Sequence, residues 1–81
     1  MPEVKTYIKE QVKLLAFRTV NDSDSLIRTK TLDSIVVVDL AVSLEERYGI
    51  KIPFNDINEE NFDTVELIAN YLAKKGVSSG N

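Results

Sequence analysis

Apolar residues recur at steps of three and four in three stretches of the chain, separated by residues that favour turns. Val4, Ile8, Val12 and Leu15 share one face, which predicts a helix from about Pro2 to Arg18. Pro2 suits a first helical turn, where its missing N–H costs nothing. Lys5, Lys9 and Lys13 form a separate row at steps of four, expected to face solvent. The second stretch opens at Asp33, whose carboxylate can accept the free N–H groups of a first turn. Ile35, Val38 and Val42 then mark a stripe that Leu40, Ala41 and Leu44 widen, and Gly49 closes it as a left-handed cap after Arg47. Four β-branched residues in a row, Ile35 to Val38, would also suit a strand. Asp33 before them and the good helix formers from Leu40 to Arg47 favour a helix.

The third periodic stretch begins at Asp63. Asp63-Thr64-Val65-Glu66 has the spacing of a capping box with Asp in the leading position. Val65, Ile68 and Leu72 are expected to face the core, Lys74 and Lys75 to complement the helix end, and Gly76 to stop it. Between the periodic stretches lie a long first loop (Thr19 to Leu32), an extended connector (Ile50 to Pro53) and a short helix near Asn55 to Glu60. Leu26, Ile27 and Leu32 are apolar residues able to pin the loop, whose length marks it as functional or mobile. The expected fold is all-α: three main helices, one short helix and a long first loop. It forms a single domain over residues 1–76, with a disordered C-terminal tail at 77–81.

Composition narrows the chemistry. The 81 residues are 43% hydrophobic and 28% charged, as in a small soluble domain. No run approaches the ~18 apolar residues of a membrane span, and Met1 to Glu10 lacks a signal-peptide apolar block, so a cytoplasmic, non-membrane protein is expected. There is no Cys and no His. Disulfides, the usual zinc sites and His-activated nucleophiles are therefore excluded, and any thiol chemistry must import its thiol. The net charge is −3, but Asp33 to Glu66 holds nine acidic residues against two basic ones. Such a surface repels nucleic acid and suits a basic protein partner.

Two clusters invite a chemical reading. Asp22, Asp24 and Asp33 match positions one, three and twelve of a calcium loop. Leu26 and Ile27 then stand where an oxygen ligand and a glycine are required, and the reading fails. Ser34 follows the Asp33 cap. Without a histidine it is a feeble nucleophile, but a phosphate bonded to its hydroxyl would lie at the positive helix end, favoured by ~0.3–1 kcal/mol. The residue is better placed to be modified than to catalyse. Asp-Ser at a helix start is by itself most often only a cap.

The run Leu32-Asp33-Ser34-Ile35, the helix after it and the segment Tyr48-Gly49-Ile50-Lys51-Ile52-Pro53 together resemble the acyl and peptidyl carrier proteins. Their signature is an Asp-Ser-Leu-like tripeptide opening the second helix, with an aromatic-Gly-Ile-x-Ile-Pro segment about four turns later. The resemblance runs from the first helix to Gly76 and implies a four-helix acyl-carrier-like bundle. It implies a 4′-phosphopantetheine arm on Ser34, attached from coenzyme A by a phosphopantetheinyl transferase with Mg²⁺, with Asp33 as motif acid and N-cap. The arm's thiol would carry a fatty acyl, polyketide or aminoacyl thioester, which accounts for the missing cysteine. Asp24-Ser25-Leu26 spells the tripeptide more literally, but no amphipathic helix follows it.

The resemblance also implies a non-catalytic protein, expected to be a monomer, that docks on loading and transferring enzymes through the second helix. Asp39, Glu45 and Glu46 fall where the family tends to be acidic. Val36 departs from it, standing where many fatty-acid carriers have an acid. With Ile35 and Val37 it shifts recognition toward apolar contact and puts standard fatty-acid synthase partners in doubt. Glu60-Asn61-Phe62-Asp63 leans toward polyketide, peptide or aminoacyl carriers. Val38, Val42, Ile52, Ile57 and Phe62 are the expected lining of an acyl pocket, or simply core. The competing reading is an unmodified helical interaction module of the same fold.

Overall fold

A computed structural model describes residues 3–77 of the chain. Four α-helices follow in order: α1 (Glu3–Ala16), α2 (Val36–Tyr48), the short α3 (Glu59–Phe62) and α4 (Val65–Lys74). One 3₁₀ turn, Phe54–Asp56, precedes α3. The described residues contain no strand, so Ile35 to Val38 belong to a helical segment and the fold is an all-α bundle. Pro2 and residues 78–81 of the expected tail lie outside the described residues. Val77, placed in that tail by the sequence, donates its N–H to the Leu72 carbonyl at 3.0 Å and packs against the core.

The core is built from one face of each helix. Val4, Ile8 and Val12 of α1, Phe62 of α3, and Val65, Ile68, Tyr71 and Leu72 of α4 are buried, while Leu15 is half-buried. On α2 the buried residues are Leu40, Ala41 and Leu44. The expected stripe is therefore rotated: Ile35 is 71% and Val42 44% exposed, and Val38 is half-buried. The helix is apolar on several sides near its start, so periodicity alone leaves open which face turns inward. Packing against α1 decides it.

α1 and α2 run antiparallel, as their polar contacts show. Ser43 gives its hydroxyl proton to Gln11 Oε1 at 2.9 Å, which leaves it as acceptor for the Tyr7 hydroxyl at 2.6 Å. One turn further, Tyr7 meets Tyr48 edge to face with ring centroids 5.8 Å apart. The Arg47 guanidinium lies 5.2 Å from the Tyr7 centroid, within range of a cation–π attraction.

The long first loop is tied down at both ends. Lys9 and Lys5 of α1 pair with Asp22, so the lysine row is partly engaged and only Lys13 among the three is exposed. The Lys9 hydrogen bond is the main cause that holds the Asp22 carboxyl below its usual range, reinforced by the charges of both lysines against the cost of desolvation. Leu26 and Leu32 are buried and Ile27 half-buried. The Asp22 carbonyl accepts the Glu66 N–H at 3.2 Å, satisfying a free donor of the first turn of α4.

Asp63 differs most from its expected role. Thr64, not Asp63, caps α4, its hydroxyl accepting the Leu67 N–H at 3.0 Å. The Asp63 carboxylate instead accepts from the Ser25 hydroxyl at 2.7 Å and the Ile27 N–H at 3.2 Å, and its carbonyl accepts the Leu26 N–H. The α3–α4 joint is thus the anchor of the first loop. The single short helix expected over 55–60 is a 3₁₀ turn followed by α3, whose N-cap is Asn58, accepting from Asn61 N–H at 3.0 Å.

Candidate functional site

Regular helical geometry in α2 starts at Val36, but helical bonding is under way three residues earlier. The Asp33 carbonyl accepts the Val37 N–H at 3.0 Å, and Asp33 Oδ1 accepts from Ile35 N–H at 3.0 Å and Val36 N–H at 2.8 Å. Asp33 therefore caps the helix as its sequence position predicts, and the formal start at Val36 reflects a loose first turn. Ser34, the residue after the cap, is exposed, and among the described residues its hydroxyl makes no hydrogen bond. An anion on that oxygen would feel the field of the helix N-terminus. It would not receive the N–H groups of Ile35 and Val36, which Asp33 already holds.

An apolar groove of about 280 Å³ opens beside this serine. Ile27 and Leu32 of the first loop, Asp33, Ser34, Val37 and Val38 of the α2 start, and Phe54 and Ile57 around the 3₁₀ turn line it. Of the residues expected to line a pocket, Val38 and Ile57 are here. Ile52 and Phe62 are buried in the core, and Val42 is on the surface. Val37, expected on a docking face, lines the groove as well. Phe54 escapes the periodic reading altogether, yet its ring is 76% exposed at the groove's edge. Its signal in the sequence is a large apolar residue that follows Pro53 and belongs to no helix stripe.

The α2 acids separate into two kinds. Asp39 and Glu46 are exposed. Glu45 is half-buried, and its Oε2 accepts the Ile52 N–H at 2.7 Å, fixing the connector that follows the left-handed Gly49 cap (φ +65°). Ile35 stands exposed one residue from Ser34, and Val36 is half-buried. The groove, the serine and these side chains form one continuous region around the start of α2.

A capped helix opening on an exposed serine, beside an apolar groove and on a four-helix frame, is the arrangement that suits a carrier of a covalently attached prosthetic group. The family model for the phosphopantetheine attachment site matches residues 3–72. An acyl carrier protein of Bdellovibrio bacteriovorus is 36% identical over 75 residues, covering 93% of this chain and 92% of that protein. An acyl carrier protein of Brachyspira hyodysenteriae is 31% identical over 70 residues, covering 86% of this chain and 87% of its own. The chain belongs to the family of phosphopantetheine carrier proteins. Its prosthetic group is 4′-phosphopantetheine, covalently attached, and an unencumbered hydroxyl above an apolar groove is chemically suited to hold it.

Proposed function

We propose that Ser34 bears the phosphopantetheine arm and that the chain carries acyl intermediates on it between partner enzymes. The observation that carries this reading is the exposed, unbonded Ser34 hydroxyl at the capped start of α2, on the edge of the groove. The Ser34 oxygen attacks the phosphorus of coenzyme A that bears the pantetheine. Its proton passes to a base on the transferase, and the bond to the departing adenosine 3′,5′-bisphosphate breaks. A phosphodiester to Ser34 remains. When bound, the arm supplies the thiol that holds cargo as a thioester.

The chain's own residues orient that chemistry. Asp33 fixes the backbone that presents Ser34 by holding two N–H groups of the first turn. Its negative charge keeps it from serving as a phosphate ligand. Ile27, Leu32, Val37, Val38, Phe54 and Ile57 offer apolar surface next to the attachment point. That lining favours a fatty acyl or reduced polyketide chain over an aminoacyl group, whose charged amine would lose hydration there. Ile35, Val36, Asp39 and Glu46 form the docking face, read by the transferase and by acyl-loading and acyl-transferring enzymes with basic and apolar groups. Glu45 supports that face from behind. The protein acts as a non-catalytic, monomeric cytoplasmic carrier built on one domain that includes Val77.

Intact mass after incubation with a broad-specificity phosphopantetheinyl transferase, coenzyme A and Mg²⁺ tests the assignment. The apo wild type should gain one phosphopantetheine, and Ser34→Ala none. A gain by Ser34→Ala places the arm elsewhere, with Ser25 as the first residue to examine. A folded apo wild type that gains nothing removes support from the carrier assignment at this residue.

A further inference from the structure

Among the described residues, Phe54 alone of the large, strongly exposed apolar side chains belongs to the groove at Ser34. Leu14, Phe17, Ile35 and Val42 are also left in water, and none of them lines that groove. The Phe54 ring is 76% exposed, yet the backbone that carries it is fixed. Pro53 enters the 3₁₀ turn with φ −60° and ψ +146°. The Asp56 N–H then donates to the Pro53 carbonyl at 2.9 Å, and the Ile57 N–H to the Phe54 carbonyl at 3.0 Å. Asp56 is held in turn, its carbonyl by the Asn61 side-chain amide and its carboxylate by the Tyr71 hydroxyl. A turn tied in this way presents its first side chain at a set place and leaves only side-chain rotation free. Ile57, at the other end of the turn, is half-buried and lines the same groove.

The groove's occupant follows from what is joined to it. Ser34 and Phe54 both line it, so any group bonded to the serine hydroxyl starts within its reach. A tethered group meets such a surface at an effective concentration on the order of millimolar. It loses none of the overall translational freedom that a separate ligand or protein would lose. At about 280 Å³ the space is slightly smaller than the ~300–1,000 Å³ of whole small-molecule sites, which suits a slender chain. The phosphopantetheine arm has the matching chemistry. One methylene beyond its phosphate stands a carbon bearing two methyl groups, and a hydroxyl, two amides and the thiol follow. That branched carbon is the first part of the arm to gain from leaving water, and the Phe54 ring is the uncovered apolar surface beside it.

We propose that Phe54 is a positioning residue for the phosphopantetheine arm: its ring seats the geminal dimethyl carbon and turns the arm across the groove mouth toward the 3₁₀ turn. The arm then leaves the serine in a set direction, and a partner enzyme must lift it from this seat to draw the thiol away. This rests on the assignment of the arm to Ser34 and adds a residue from a different segment that decides where the arm rests.

The test uses holo protein made with coenzyme A whose geminal methyls are isotope-labelled, observed by NMR. Among the described residues Phe54 is the only aromatic ring lining the groove, so a ring-current shift of those methyls reports on it. In wild type the methyl signals should move upfield of their positions in free coenzyme A and show nuclear Overhauser contacts to the Phe54 ring. Phe54→Tyr should keep both effects, and Phe54→Ser should return the methyls to their free positions. An exposed side chain is replaced in each case, so neither variant should melt appreciably below wild type. Wild-type methyls at the free positions with no contact to the ring overturn the proposal, and so does a shift that survives Phe54→Ser. Should Phe54→Ser fold poorly, the contacts in wild type and Phe54→Tyr decide alone. Failure of the seat is distinct from failure of the attachment assignment, which is read by intact mass from whether wild type, and not Ser34→Ala, gains the arm. A wild type that gains none overturns both.

Discussion

At the residue scale, Glu45 and Glu46 are neighbours on α2 whose carboxylates do different work. Glu45 accepts the N–H of Ile52, a residue only 7% exposed, whereas Glu46 is exposed. Truncating Glu45 to Ala leaves that N–H without its partner, a loss of about 1–2 kcal/mol, or a melting point lowered by several degrees at roughly 4–8 °C per kcal/mol for a domain this small. Glu45→Gln keeps an acceptor oxygen and should recover most of the loss. Glu46→Ala should melt within a degree or two of wild type and show its effect in partner affinity instead. Thermal melts of the three variants decide it, and equal melting of Glu45→Ala and Glu46→Ala would remove the structural role. The difference was not legible in the sequence, where both are acids on one helix. It depends on where the chain goes after Gly49, since the partner of Glu45 lies on the connector. Asp33 was legible because a cap bonds to its immediate neighbours.

At the element scale, the 3₁₀ turn that supplies Phe54 and Ile57 to the groove is fastened to α4. Tyr71 donates its hydroxyl proton to Asp56 Oδ2 at 2.6 Å, and Lys75 stands 3.8 Å from the same oxygen. Burial first, and then the Asp56 carboxylate, push the Tyr71 hydroxyl far above its ordinary value of 10.0. The folded state therefore keeps a proton that the unfolded chain releases. This contribution is intact below about pH 10 and is lost as pH rises from there through the folded pKa. Tyr71→Phe forfeits the hydrogen bond and should be less stable at neutral pH by about 1 kcal/mol. Above pH 10 its melting point should fall less steeply than that of wild type, so that the gap narrows. Parallel alkaline slopes for the two proteins would contradict the linkage. Elements held by local signals, α1, α2 and α4, were readable from periodicity and caps. The tether of the first loop was not, because Asp63 resembles a helix cap and its true partners, Ser25 to Ile27, are 36 to 38 residues upstream. The face that α2 buries was misread for a related reason, since a helix apolar on several sides needs its neighbour to fix its rotation.

At the scale of the whole molecule, the groove beside Ser34 lies between the first loop and α2 on one side and the 3₁₀ turn region on the other. The buried core occupies the other faces of the helices. Cargo on the arm can therefore add apolar burial without displacing the core, provided it folds back onto Val38, Ile57 and their neighbours. Each methylene fully removed from water contributes up to about 0.8 kcal/mol, which for a domain this small corresponds to at most about 3–6 °C in melting temperature. Holo protein loaded with straight-chain acyl groups of increasing length should melt progressively higher until the groove of about 280 Å³ is filled, and then level off. An aminoacyl load of similar size should give little or no increase, because its charged amine stays in water. A melting temperature independent of chain length would mean that the cargo remains outside the groove. The apolar lining would then serve the partner enzyme or the arm alone. A rise with a plateau identifies a carrier that shelters alkyl chains, and the length at the plateau measures the cargo the fold accommodates.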